Sequence, residues 1–133
     1  TNENNPNYSI YKNNYIQRYG FNPSTFSEHA YDAIYLIAYA IQMADSENPI
    51  IFNNYLNSVS GSGYLRDQEI IVDPVIINVD EFDIAKNIIL KGELINYEGA
   101  SGPISFDEYG DPTPKIVIWG IRNNNYVELT HYD

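Results

Sequence analysis

Between Phe26 and Ala44 the chain reads FSEHAYDAIYLIAYAIQMA, and from Ala30 onward Asp32 and Gln42 alone interrupt the apolar run. The run is too short and too polar for a bilayer-spanning helix, which needs about 20 mainly apolar residues. It suits a helix buried on most sides of a globular domain. Ala30, Ile34, Ala38 and Gln42 fall along one ridge, and Tyr31, Tyr35 and Tyr39 along the next. Each fully buried Leu, Ile or Phe contributes about 1.5–3 kcal/mol, a large fraction of a folding free energy of about 5–15 kcal/mol. Such a helix demands cover from several directions.

The pattern around it predicts further elements. Thr1 to Asn7 reads as a frayed polar lead-in. Tyr8, Tyr11, Tyr15, Ile16 and Tyr19 form a helical stripe, with Ser9 as N-cap and Gly20 as terminator. Ser24 or Thr25 caps the central helix, with Glu28 placed for a capping box. After a turn at Asp45 to Pro49, a short helix over Ile50 to Val59 turns Ile51, Tyr55, Leu56 and Val59 inward, and Ser60-Gly61-Ser62-Gly63 breaks it. Glu69 to Val79 is β-branched and extended around Pro74. Asp80 caps a helix over Glu81 to Lys91, with Phe82, Ala85, Ile88 and Ile89 inward and Gly92 stopping it. Beyond Asn96 the pattern becomes β: a strand at Ile104 to Phe106, a turn at Asp107 to Asp111, then Ile116 to Trp119 and Tyr126 to Leu129 joined by Asn123-Asn124-Asn125. The expected class is α/β.

Composition sharpens this picture. One domain's worth of chain, 133 residues with 44% hydrophobic and 14% aromatic content, is a folded protein. Its 13 tyrosines suit half-wet positions, with rings inside and hydroxyls reaching outward. A net charge of −11 repels phosphate backbones and anionic membranes, so no nucleic-acid partner is expected. The absence of cysteine removes disulfides, Cys-based zinc sites and thiol nucleophiles. The chain opens at Thr1 rather than Met and carries no signal peptide, and is read as processed or cut.

The candidate chemistry is sparse. His29 lies between Glu28 and Asp32, where it could ligate a metal or act as a base, or simply face the surface or a hinge. His131 sits in the terminal tail. Asp107, Glu108 and Asp111 carry oxygens but lack the regular ligand spacing of a calcium loop, and Pro112 follows at once. Gly61-Ser62-Gly63 and Gly99-Ala100-Ser101-Gly102 match neither a phosphate loop nor a nucleophile elbow. An enzyme, a cofactor and a metal site are therefore not expected. A small α/β enzyme would need carboxylates converging in one pocket, which nothing in the spacing asks for.

Tyr31-Asp32-Ala33-Ile34, Tyr97-Glu98-Gly99-Ala100-Ser101-Gly102-Pro103, Phe106-Asp107, Gly110-Asp111, Ile118-Trp119 and the Asn123 to Val127 turn together resemble the C-terminal part of type I periplasmic solute-binding proteins. The resemblance is to the branched-chain amino-acid and amide receptors of ABC importers, and it covers the chain from Tyr15 onward. It implies a two-lobed α/β fold, with residues 1–112 in the first lobe and 113–133 forming a hinge crossing and the terminal hairpin of the second. It implies a small polar solute such as an amino acid, a membrane permease as partner, and a periplasmic or extracellular site of action. Because the upstream strands of both lobes lie outside this sequence, it also implies exposed apolar surface covered by an N-terminal part or a second copy. Phe26 occupies the place of an aromatic that looks into the family's ligand cleft, or else staples the helix; Ser27 and His29 lie at the cleft rim. Pro112 and Pro114 are the expected hinge residues. A signalling receptor with the same fold is the alternative.

Overall fold

The computed structural model describes residues 4–61, 64–65, 68–69, 73–106, 110–112 and 116–132. Helix α1 spans Pro6–Tyr19 and starts earlier than the tyrosine stripe predicts. Its cap is Asn5, not Ser9: the Asn5 side chain accepts from the Asn7 N–H at 3.0 Å, and Pro6 occupies the first turn, where its missing N–H costs nothing. The lead-in is not frayed from Asn5 onward. Asn5 Nδ2 donates to the Gly99 and Ala100 carbonyls, each at 3.1 Å, and Asn7 Nδ2 donates to the Glu98 carbonyl at 2.8 Å. Gly20 ends the helix with φ 79°.

Helix α2 spans Ser27–Ala44. The expected capping box does not form. Phe26 takes the cap position with φ 67° and no side-chain hydrogen bond, while Glu28 turns inward and is buried. Nor is α2 buried on most sides. Leu36, Tyr39 and Ala40 are buried together with Asp32, yet Ala33, Ile34 and Ile37 are exposed, Ile34 at 67%.

Residues 49–59 do not form one helix. They break into α3 (Pro49–Phe52), a 3-10 turn (Asn53–Tyr55) and α4 (Leu56–Val59). The Asn54 amide bonds back to the Ile50 and Ile51 carbonyls, a side chain competing with the helical ladder. Ile51 is exposed rather than inward, whereas Val59 is fully buried.

Of the stretch expected to be extended, Glu69 to Val79, residues 70–72 lie outside the described residues. Strand β1 (Tyr64–Leu65) pairs with β2 (Gln68–Glu69), and β3 (Val75–Ile77) begins just past Pro74. Helix α5 (Phe82–Leu90) follows β3, and β4 (Ile95–Gly99) returns parallel to it, so β3, α5 and β4 form one β–α–β unit. Asp80 does not cap α5. It takes φ 72°, and Glu81 stands at the cap position, its carboxylate accepting from the Asn78 N–H at 2.7 Å. Strand β5 is Gly102–Pro103, antiparallel to β4. The strand expected at Ile104 to Phe106 is absent; Phe106 makes an isolated bridge to Pro112 instead.

Leu36, Tyr39, Ala40, Val59, Ile77, Ala85, Ile89, Ile95 and Tyr97 form the main core, from α2, α4, α5 and the parallel pair. A second cluster of Tyr8, Tyr11, Val79 and Ala100 fixes α1. The terminal hairpin is β6 (Ile116–Arg122) with β7 (Asn125–Tyr132), longer than its hydrophobic pattern predicts. Asn123 (φ 51°) and Asn124 (φ 60°) make the left-handed two-residue turn that matches strand twist. The register shifts between Ile118 and Trp119, and Trp119, Ile121 and Tyr126 are exposed.

Candidate functional site

The N-terminal corner of α2 carries the three expected ligand residues. Phe26 is 71% exposed and held in the left-handed region, where a bulky side chain is rarely found. Its ring lies 5.7 Å from the His29 ring. His29 is exposed, with Nε2 4.0 Å from Glu28 Oε1. Phe26 and His29 therefore share one outward surface. Phe26 does not staple the helix down, since its ring is mostly in solvent. Ser27 faces the other way: its hydroxyl accepts from Tyr11 Oη at 2.8 Å and donates to the Ser24 carbonyl, tying α1 to the start of α2.

Ser27 is also the link to a groove of about 420 Å³ between α1 and α2. Tyr11, Tyr15 and Tyr19 line one wall, Ala30, Tyr31, Ile34 and Tyr35 the other, and Arg18 and Asp80 supply charge. Both walls come from residues at helical spacing on a single face of each helix. The rings touch in sequence, Tyr19 to Tyr15 at 4.6 Å, Tyr15 to Tyr11 at 6.0 Å, Tyr11 to Tyr31 at 5.0 Å and Tyr31 to Tyr35 at 4.6 Å. Burial pushes the Tyr31 phenol well above its ordinary value, with its hydrogen bond to Tyr35 adding to the effect. Burial raises Tyr11 too, the Ser27 hydrogen bond opposing it. Asn14 Nδ2 donates to Asp80, which holds that carboxylate at the groove's end.

Beneath the corner, Asp32 is 2% exposed. Oδ1 accepts from Tyr97 Oη at 2.9 Å and from the Ala100 N–H at 2.8 Å. Oδ2 accepts from the Ser101 N–H at 2.7 Å and from Ser101 Oγ at 2.6 Å. The YDAI helix and the YEGASGP turn, distant in sequence, thus meet at one carboxylate. A Cβ on Gly99 would lie 2.4 Å from Asp32 Oδ2, so glycine is required there for the approach. Tyr97 is fully buried; its phenol is pushed far up, first by burial and then by the Asp32 charge beside it.

Asp32 is the buried carboxylate whose partners sequence reasoning left unassigned. The available signal was a lone carboxylate inside an apolar run, a position that demands buried donors. Of the two prolines expected at a hinge, Pro112 is exposed and bridged to Phe106, while Pro114 lies outside the described residues. So do Asp107 and Glu108 of the acidic turn, and residue 113 on the second-lobe side of the expected boundary. Among the described residues no group of three or more His, Cys, Asp or Glu is placed to hold a metal ion, and no helix is long and apolar enough to cross a membrane.

A β–α–β unit backed by α2, with the next chain segment clamped to that helix, makes up a piece of an α/β fold. The family model for the receptor family ligand-binding region matches residues 2–124, and the chain belongs to that family, which has the type I periplasmic-binding fold. No curated protein and no solved structure matches it.

Proposed function

We propose that this chain is part of an extracytoplasmic receptor that closes two lobes on a small polar solute, an amino acid or an amide of similar size, and presents it to an ABC-importer permease. It binds and does not catalyse. Residues 1–112 belong to the first lobe and 113–133 to the crossing and second-lobe hairpin, with Pro112 and Pro114 limiting the hinge. Ligand favours the closed form through its greater affinity for that form.

The observation that carries this reading is Phe26: a large aromatic side chain, mostly exposed, on a strained backbone position at the corner of α2. Strain of that kind costs about 1–3 kcal/mol and gathers at ligand sites. Phe26→Gly should therefore stabilise the fold by about 1 kcal/mol while weakening solute binding at least tenfold. Calorimetric titration of the full-length receptor with the free L-amino acids and their amides checks this, alongside urea unfolding. Unchanged affinity in Phe26→Gly, or no binding by the unaltered full-length receptor, overturns the reading.

The second reading is a signalling receptor of the same fold, favoured by the family's description as a receptor ligand-binding region. In that case closure repositions a partner protein instead of loading a permease. Uptake assays in cells carrying the full-length gene separate the two: transport lost on gene deletion supports the first, and a ligand response without transport supports the second.

A further inference from the structure

We infer that Asp32 is a positioning residue that makes the ligand corner of α2 and the chain segment leaving the sheet move as one body. Its functional meaning rests on the solute-receptor reading above; its test does not. All four hydrogen bonds to the carboxylate come from Tyr97, Ala100 and Ser101, at the end of β4 and the turn into β5. All four donors are N–H or O–H groups. A carboxylate has the acceptor sites for all of them, whereas an asparagine would turn its own NH2 against two.

The connection runs in both directions from this carboxylate. Asp32 lies six residues beyond Phe26, on the buried side of the helix whose first turn bears Phe26, Ser27 and His29. On the other side, the clamped turn feeds β5, then Ile104 and the Phe106–Pro112 bridge. Gly99 brings the strand end into contact with the carboxylate. Asn5 adds to the clamp by bonding the Gly99 and Ala100 carbonyls, so the N–H groups of Ala100 and Ser101 face α2 while carbonyls of the same turn face α1. A displacement of the α2 corner is thereby carried to the outgoing segment through the Asp32 carboxylate and its donors.

Hydrogen exchange read by mass spectrometry on the ligand-free 133-residue chain tests this. The variants are Asp32→Asn, Tyr97→Phe and, as a control in the core, Ile89→Ala. Asp32→Asn should speed exchange at Ala100 and Ser101 by roughly ten- to a hundredfold, the loss expected for bonds to a charged acceptor. The same increase should reach residues 102–106 and the first turn of α2, while α5 stays protected. Tyr97→Phe should show the same distribution at smaller amplitude, and it keeps the test open should Asp32→Asn fail to fold. Ile89→Ala should raise exchange everywhere in proportion to lost global stability. An Asp32→Asn effect confined to Ala100 and Ser101, or spread evenly as in the control, overturns the coupling. Neither result depends on finding the solute, so a failure of the receptor reading shows separately as absence of binding in the titrations.

Discussion

The two long faces of α2 are built from similar residues and live in opposite surroundings. The inner face buries Asp32, Leu36, Tyr39 and Ala40; the outer face leaves Ala33, Ile34 and Ile37 exposed. The more polar face is thus the buried one. Apolar surface is removed from water wherever a partner exists, with little regard to direction. A buried carboxylate instead requires specific donors at specific distances. The partners of Asp32 therefore decide which side of the helix meets the sheet, and the isoleucines of the other side are left without cover by the described residues.

The largest test of that contrast is Asp32→Ala. It strands the Tyr97 hydroxyl and the Ala100 and Ser101 donors in a site that excludes water, and should cost about 3–5 kcal/mol. Urea unfolding followed by circular dichroism would show this as loss of the cooperative transition. A cost under 1 kcal/mol would mean that water satisfies the turn and that the inner face is not specified by the carboxylate.

Raising the pH attacks the same face. Tyr39 on that face and Tyr97 packed against it have phenols raised by burial above their ordinary value of 10.0. Because the folded-state value lies above the unfolded one, their contribution is fully present below about pH 10 and is lost as pH rises beyond it. Ionisation followed at 295 nm should lag the exposed tyrosines and then coincide with loss of helical signal. Early, uncoupled titration of every tyrosine would show the inner face to be open.

Tyr39→Phe sharpens the comparison within the buried side. Tyr39 is 1% exposed and its hydroxyl has no hydrogen-bond partner among the described residues. Removing it should leave stability unchanged or raise it by up to about 1 kcal/mol, read as a higher urea midpoint. A loss of that size would reveal a partner for the hydroxyl.

Smallest of all is Ile34→Ser on the outer face. At 67% exposure its effect on the 133-residue chain should stay within about 0.5 kcal/mol. A larger destabilisation, seen in the same unfolding experiment, would mean that this face is covered in solution.

Much of the local structure was legible in the chain. Gly20 and Gly92 end their helices with φ 79° and φ 78° as expected of terminators, and the Asn-rich turn joins the two predicted hairpin strands. These features depend on a few neighbouring residues and on backbone sterics. Caps were read less well. Ser9, Thr25 and Asp80 all have suitable chemistry, but Asn5, Phe26 and Glu81 hold the positions, because packing of Asn5 on the β4 turn and of Glu28 inside the fold outweighs a cap's contribution of about 1 kcal/mol.

The candidate site divides along the same line. The apolar run, its lone Asp32, the glycine turn and the corner sequence Phe26-Ser27-Glu28-His29 follow from the order of residues, as do the α/β class and the family resemblance that their spacing carries. Tertiary structure alone decided that Asp32 reaches Tyr97, Ala100 and Ser101, across 65 to 69 residues of chain. It alone separated Ser27, turned toward Tyr11, from Phe26 and His29, turned outward. Helical periodicity specifies which side chains share a face, but the direction in which that face points follows from long-range contacts, where one satisfied carboxylate outweighs the lateral choice among several apolar neighbours.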